Sequence, residues 1–176
     1  MKRDINKFYD EVLYALFLFL ITSVVGGLLE SVYIWFLFGK FDIGGFMYGA
    51  WRPIYGFGCL LLYFITNNKK RNNFKIFFNS LIYCSLFEYL VSLVLEIIFN
   101  KTWWDYSNNF LNLNGRICLF NSIIWGFLGL IFVYYIEPFI KKLFDKINFK
   151  KMKNALNILT ILFILDFMLS LFNNFN

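Results

Sequence analysis

Glutamates and serines at helical spacing are the residues of this chain whose chemistry most needs an explanation. Glu88 and Glu96 alternate with Ser85 and Ser92 at spacings of three or four, which places all of them on one face of a predicted helix. An ionised carboxylate at the centre of a membrane helix costs about 2.5–3.5 kcal/mol on the insertion scale. We therefore expect this face to point into a helix bundle. There the acids would mark an ion or substrate pathway, or only fix the register of the helices.

The first apolar stretch of the chain has a comparable polar stripe, made of Ser23, Gly26, Glu30 and Tyr33. Its glycine would let a neighbouring helix approach closely. Glu30 is followed along the chain by Arg52, and at a similar separation Glu96 is followed by Arg116. We expect the buried acids to be protonated or paired with these arginines. Asp166, on the last apolar stretch, is more peripheral and is left outside the predicted site.

The segment KTWWDYSNNFLNLNGRI, residues 101–117, places aromatic, acidic and amide side chains between two apolar stretches. Its aromatic residues match the belt that forms at a membrane surface whatever the function. Asp105 and Ser107 are harder to explain as membrane anchors, and so is the turn sequence Asn114-Gly115-Arg116. We interpret the segment as an external cap over a site.

The composition indicates an integral membrane protein. Of the 176 residues 60% are hydrophobic and 16% are charged, whereas about 45–50% of a soluble globular chain is apolar. The basic residues, which give a net charge of +6, fall mostly in three clusters: Lys2, Arg3 and Lys7; Lys69, Lys70, Arg71 and Lys75; and Lys141, Lys142, Lys146, Lys150, Lys151 and Lys153. Clusters between apolar stretches follow the positive-inside rule and differ from a basic groove, so no nucleic-acid partner is expected.

Hydropathy predicts an all-α bundle of about five transmembrane helices in a single membrane domain, residues 1–176. The spans are predicted at residues 12–38, 46–66, 76–99, 117–137 and 155–172, because about 20 apolar residues cross a bilayer as a helix. The second span is interrupted at Arg52-Pro53, so it should become helical only near Ile54. Most of the 17 Lys and Arg residues lie where an N-in, C-out chain would place them in the cytoplasm. The predicted cytoplasmic loops, residues 67–75 and 139–154, are short for docking an ATPase.

Several catalytic and cofactor-binding patterns are missing from the sequence. The chain has no histidine, which removes the usual zinc sites and histidine-based acid–base catalysis. Its three cysteines show no CxxC spacing. It has no GxxxxGK[ST] motif, so it cannot bind ATP in that way. No metal or other cofactor is predicted, although two glutamates remain an available acid and base pair.

Three stretches resemble a known family: LLESVYIWFLFGKF, GFMYGAWRPIYGFG and LFEYLVSLVLEIIFNKTWWDYSNNFLNLNGRICLFNSIIWGFLG. They are similar, in the same order over residues 28–138, to the small membrane proteins called putative ABC-transporter type IV permeases. The motifs WWDYS, PIYGFG and NGRI are the most specific. The chain departs from the family pattern at Ile43-Gly44, where Asn-Arg is usual, at Ala50, where Pro is usual, and at Arg52, where Cys is common. Arg52 could therefore supply the charge of the missing arginine.

The resemblance implies that the family's recurring positions correspond here to Glu30, Tyr33, Gly45, Tyr48, Gly49, Pro53, Ile54, Tyr55, Gly56, Gly58, Glu88, Glu96, Trp104, Asp105, Tyr106, Ser107, Asn112, Gly115, Arg116, Trp125, Gly126 and Pro138. It also implies a permease subunit served by a separate ATP-binding subunit. Because five spans make a thin pathway alone, we expect a homo-oligomer or a hetero-oligomer surrounded by membrane lipid.

The predicted substrate site is an acid-lined, outward-facing cavity. Its members are Glu30, Tyr33, Arg52, Pro53, Tyr55, Gly56, Glu88, Glu96, Trp104, Asp105, Tyr106, Ser107, Asn114, Gly115, Arg116, Asn121 and Trp125. Glutamates would form its floor, and the arginines with the interrupted RPIYG segment its rim. Two alternatives stay open at this point. One is a membrane enzyme acting on lipid or cell-envelope precursors at the outer face, and the other is a structural or accessory membrane protein.

Overall fold

The computed structural model describes residues 7–39, 45–66 and 72–175, and within these ranges the chain is helical without a β-strand. The helices are α1 (Lys7–Phe38), α2 (Pro53–Thr66), α3 (Asn73–Phe99), α4 (Leu119–Ile131), α5 (Glu137–Lys146) and α6 (Phe149–Phe175), with a π-helical turn at Phe132–Ile136 between α4 and α5. The predicted all-α membrane architecture is confirmed.

Four of the helical stretches are long and apolar enough to cross a membrane: Phe8–Phe36, Asn73–Phe99, Leu119–Lys146 and Phe149–Phe175. They contain most of the first, third, fourth and fifth predicted spans. The second predicted span differs, because α2 has only 14 residues. At 1.5 Å per residue it is about 21 Å long, shorter than the ~30 Å hydrocarbon layer. The interruption at Arg52-Pro53 therefore marks the true start of this helix.

Local sequence explains the helix boundaries around α2 and α3. Proline at the first position of α2 costs no hydrogen bond, since the first N–H groups of a helix have no partner within it. At the start of α3, the side chain of Asn72 accepts a hydrogen bond from the Lys75 N–H, at 3.2 Å. The same helix ends at Asn100, which has the left-handed conformation typical of a helix terminus.

The helix that contains α4 continues well beyond the predicted span. At the π-helical turn the N–H of Glu137 reaches the carbonyl of Phe132, five residues back, just before Pro138, whose nitrogen carries no hydrogen. The helix then runs to Lys146, and α6 begins at Phe149. Residues 139–154, predicted as a cytoplasmic connection, are therefore largely helical, because a π-helical turn precedes the proline and the helix continues beyond it.

The chain divides into two compact units. The first combines Met1–Gly56 with Phe139–Leu171, and the second combines Phe57–Pro138 with Phe172–Asn176. In the first unit the ring of Phe144 is fully buried and meets the Tyr14 ring edge-on, with centroids 5.2 Å apart. In the second unit α3 packs along α4, where Gly126 lies against the Phe77 ring. Small residues at a helix contact allow this close approach. The single-domain organisation and the N-in, C-out orientation stay predictions.

Some predicted features lie outside the described residues. They are the basic residues Lys2, Arg3, Lys69, Lys70 and Arg71 and the family departure at Ile43-Gly44.

Candidate functional site

Glu88 is the buried acid of the second unit. It lies on α3 with 6% of its surface exposed. The hydroxyl of Tyr106 donates to Oε1 at 3.1 Å, and the indole N–H of Trp125 donates to Oε2 at 2.8 Å. In the part of the chain that the structure describes, no lysine or arginine forms an ion pair with Glu88. Both of its oxygens are therefore held by neutral aromatic side chains.

Serines extend this polar cluster along the contact between α3 and α4. Ser85 and Ser92, on the predicted stripe, are buried with Glu88. The hydroxyl of Ser85 hydrogen-bonds to that of Ser122 at 2.7 Å. Asn121, which the sequence places in the site, is half-buried beside Ser122 on α4. The predicted polar stripe on α3 is confirmed as an interior face.

Glu96, at the C-terminal end of the same stripe, is paired with an arginine. The guanidinium of Arg116 binds the Glu96 carboxylate and lies over the Tyr89 ring, 5.5 Å from its centroid. The Nε of Arg116 is buried without a hydrogen-bond partner among the described residues. The indole N–H of Trp104 donates to the Arg116 carbonyl at 3.0 Å. The predicted pairing of Glu96 with Arg116 is confirmed.

A tight turn closes the segment that carries Arg116. Asn114 and Gly115 both have positive φ, +54° and +68°, and they lie within a loop closed by the antiparallel bridge between Leu113 and Ile117. Glycine is needed here for a second reason: a Cβ at position 115 would lie 2.6 Å from the Asp105 carboxylate. Asn114 donates from its side chain to the Tyr89 hydroxyl at 2.9 Å. The Asn-Gly-Arg sequence thus orients Arg116 toward Glu96.

Asp105 organises the WWDYS motif. Its Oδ1 accepts a hydrogen bond from the backbone N–H of Ser107, at 2.8 Å, and another from the Ser107 hydroxyl. These bonds stabilise the charged form and lower the pKa of the Asp105 carboxyl below its ordinary value. The motif therefore contains an Asx-turn at Asp105, which fixes the backbone between the neighbouring Trp104 and Tyr106.

The first unit has an ion pair of its own. The Nε of Arg52 lies 3.1 Å from the Glu30 carboxylate, and Arg52 is 8% exposed. Its backbone N–H donates to the Ser23 carbonyl on α1 at 3.0 Å. A Cβ at Gly45 would lie 2.8 Å from the guanidinium carbon. The pairing of Glu30 with Arg52, expected from their order along the chain, is confirmed.

The PIYG part of the predicted rim packs against α1. Gly26 lies against the Tyr55 ring, since an added Cβ would come within 2.5 Å of it, and Gly56 lies against the Ser23 hydroxyl. Tyr33 does not follow the rest of its predicted stripe, because its side chain is 63% exposed. The stripe is therefore buried at Ser23, half-buried at Glu30 and exposed at Tyr33.

Asp166 and Tyr89 belong to these polar clusters, although neither was predicted in the site from the sequence. Asp166 accepts hydrogen bonds from the backbone N–H groups of Tyr48 at 3.2 Å and Gly49 at 2.9 Å, and from the Ser170 hydroxyl at 3.2 Å. An acid four residues before a serine on an apolar helix was the available signal. For Tyr89, which contacts the Arg116 guanidinium, no sequence signal separates it from the other aromatic residues.

Comparison with known proteins assigns the chain to a family. The family model described as Putative ABC-transporter type IV matches residues 17–171. The chain belongs to this family. No curated protein and no solved structure matches it.

Membership of the type IV family agrees with the helices described above. The match extends from α1 into α6 and includes every residue of the predicted site. With four helical stretches of membrane-spanning length, the chain is a multi-pass membrane protein of a transporter family. A single cavity that combines Glu30 with Glu88 and Glu96 stays a prediction.

Proposed function

We propose that this chain is the permease subunit of a membrane transporter whose energy comes from a separate ATP-binding subunit. The family match over residues 17–171 is the observation that carries this proposal. The sequence supports a separate ATP-binding subunit, because the chain has membrane-spanning helices but no GxxxxGK[ST] motif. ATP binding of that kind would then belong to another polypeptide.

The substrate would meet the polar residues of the second unit. Buried acids in spanning helices mark ion and substrate pathways. In an N-in, C-out chain, Glu88 and Glu96 would lie in the outward half of α3, and residues 101–117 would form an external cap. Two contacts support this role, because each connects the cap to an acid on α3: Tyr106 to Glu88 and Arg116 to Glu96. We propose a polar or cationic substrate.

The basic end of α5 and the start of α6 offer a surface for the ATP-binding subunit. Three exposed lysines lie there on helices and not on an irregular loop: Lys142 and Lys146 on α5, and Lys150 on α6. Helical elements hold a docking surface in a fixed geometry better than a flexible connection does. A second copy of the chain, or another membrane subunit, would complete the pathway.

Purification from the native membrane in mild detergent tests this proposal. We expect an ATP-binding subunit to co-purify in stoichiometric amount, with an ATPase activity that Glu88→Gln changes at least several-fold. Thr160→Val is the matched control, because it replaces a polar group in a spanning helix whose hydroxyl has no partner among the described residues. It should leave the ATPase activity unchanged.

Recovery of the protein alone, or only with further copies of itself, would reject the ATPase-driven proposal. Bound lipid or envelope precursors in that preparation would favour the enzyme alternative instead.

A further inference from the structure

Glu88 differs from the other glutamates near the helix contacts in the charge of its partners. Glu30 and Glu96 are each paired with an arginine, whereas the side chains that bind Glu88 are a phenol and an indole. An indole N–H is only a donor, but a phenol hydroxyl donates or accepts. The surroundings of Glu88 therefore accommodate a neutral carboxylic acid as well as a carboxylate, with the acid proton directed to the Tyr106 oxygen.

The burial of Glu88 limits what it can bind. With 6% of the residue exposed and one side-chain donor on each oxygen, Glu88 has little free surface for a substrate ammonium group or a hydrated metal ion in this conformation. A proton is small enough to bind there without displacing Tyr106 or Trp125. Since an unpaired charge in a spanning helix is costly, the neutral form is also the form that the membrane favours.

The groups that face Glu88 supply no compensating positive charge. On α3 the titratable neighbour is the thiol of Cys84, one turn earlier, which is itself close enough to Cys59 of α2 to interact electrostatically. From the segment between α3 and α4 the neighbour is the phenol of Tyr106. The nearby groups on α4 are Trp125 and Ser122, and neither carries a charge. The one arginine close along that segment, Arg116, is bound to Glu96.

We propose that Glu88 is a proton-binding site: a carboxylic acid that is neutral at physiological pH and releases its proton to water when the Tyr106 segment moves away. The bond that breaks is the O–H bond of the Glu88 carboxyl, and the proton goes to solvent, leaving the carboxylate held by the Trp125 N–H. The cap segment and the charge of the membrane site are coupled in this way. The proposal rests on the geometry of Glu88 and does not require an ATP-binding partner.

Infrared spectroscopy of the full-length protein in micelles of an alkyl maltoside detergent, which has no ester carbonyl, tests this assignment. A neutral carboxylic acid has a carbonyl stretching band separate from the carboxylate and amide bands, and that band shifts in deuterium oxide. We expect such a band at neutral pH, its loss in Glu88→Gln, and its retention in Glu96→Gln, where the replaced group is an ion-paired carboxylate. Spectra of the wild type and Glu88→Gln that are identical in this region at neutral pH would overturn the proposal.

Hydrogen-bond variants keep the test decisive if Glu88→Gln does not insert into the membrane. Tyr106→Phe and Trp125→Phe each remove one partner of the Glu88 carboxyl, so each should shift the frequency of the acid band. A band that neither variant moves would belong to another acid and would refute the assignment. Isolation of the protein without an ATPase would refute the proposed function but leave this result unaffected.

Discussion

The two units neutralise their acids in parallel ways. In each, a glutamate toward the end of one long helix binds an arginine that lies just before the next helix: Glu30 with Arg52 in the first unit and Glu96 with Arg116 in the second. In each, an aspartate also holds the segment before that next helix. Asp166 accepts backbone N–H groups of the segment before α2, and Asp105 accepts one within the segment before α4.

The units differ in what remains after this pairing. The two ion pairs are buried to similar extents: 10% of the Arg52 and 15% of the Arg116 side chain are exposed, against 35% of Glu30 and 41% of Glu96. Each unit also has an acid with neutral partners, Asp166 in the first and Glu88 in the second. The units differ in this acid: Asp166 is half-buried and binds backbone N–H groups, whereas Glu88 is buried and binds aromatic side chains. The same substitution made at matching positions of the two units tests this comparison.

Removal of the arginine should have the largest effect, and a similar one in each unit. We expect Arg52→Gln to lower the free energy of unfolding by about 2 kcal/mol, because it leaves a partly buried glutamate unpaired. Arg116→Gln should cost about as much, since its ion pair is only slightly more exposed and a cation–π contact is lost with it. Denaturant unfolding of the purified variants in detergent micelles measures both values.

Double variants supply the control for this comparison. Glu30→Gln combined with Arg52→Gln should recover part of the loss, because no charge is then left without its partner. The exchange Glu96→Arg with Arg116→Glu should likewise restore the second pair. If one arginine variant proved several-fold more costly than the other, the parallel between the two ion pairs would fail.

Glycine substitutions should have the next largest effect, and they test the packing of each unit. An alanine Cβ at Gly56 would meet the Ser23 hydroxyl, and at Gly126 it would lie 2.5 Å from the Phe77 ring. Each change should destabilise the protein by about 1–3 kcal/mol through overpacking. Gly58→Ala is the matched control, since its nearest neighbour, a Trp125 ring atom, would be 4.0 Å away. It should be neutral or stabilise by up to about 1 kcal/mol through helix propensity.

Thermal unfolding in detergent compares the three glycine variants under one set of conditions. Equal losses at Gly56 and Gly126, with none at Gly58, would show that both units depend on close helix approach. A loss at Gly58 as large as the others would contradict the assigned contacts.

The long helices, the two ion pairs and the polar face of α3 could be predicted from the sequence, because each follows from local periodicity or from a simple charge requirement. A run of about 20 apolar residues has few alternatives to a spanning helix. A buried glutamate needs a partner, and Arg52 and Arg116 are the arginines predicted to lie at the same depth in the membrane as the glutamates. Tyr33 was predicted on the same stripe as Ser23 and Glu30 but is largely exposed, because helical spacing alone does not show where an interior face ends. Its place in the substrate site stays a prediction.

Other features depend on contacts that no local pattern encodes. The bonds from Asp166 to Tyr48 and Gly49 join positions more than one hundred residues apart, so sequence proximity could not indicate them. The continuation of the fourth helix through Pro138 was missed because proline ordinarily ends or kinks a helix. There the backbone hydrogen bond spans five residues instead of four, and the helix continues. The neutral environment of Glu88 required knowing that Tyr106 and Trp125 both reach it.

The smallest expected effect concerns the Asp105 turn, which the second unit uses where the first has Asp166. Hydrogen bonds from Ser107 lower the pKa of Asp105 in the folded protein. Its stabilising contribution is therefore complete above the unfolded pKa of about 3.9, declines as the pH falls below that value, and is lost below the lower folded pKa.

We expect wild type and Asp105→Asn to differ slightly in melting temperature at neutral pH, and this difference should shrink as the pH falls below about 3.9. The difference in melting temperature between wild type and Ser107→Ala should shrink over the same pH range, because this variant removes one of the two hydrogen-bond donors to Asp105. A difference that stayed constant across this range would show that the turn depends on the shape of the side chain and not on its charge.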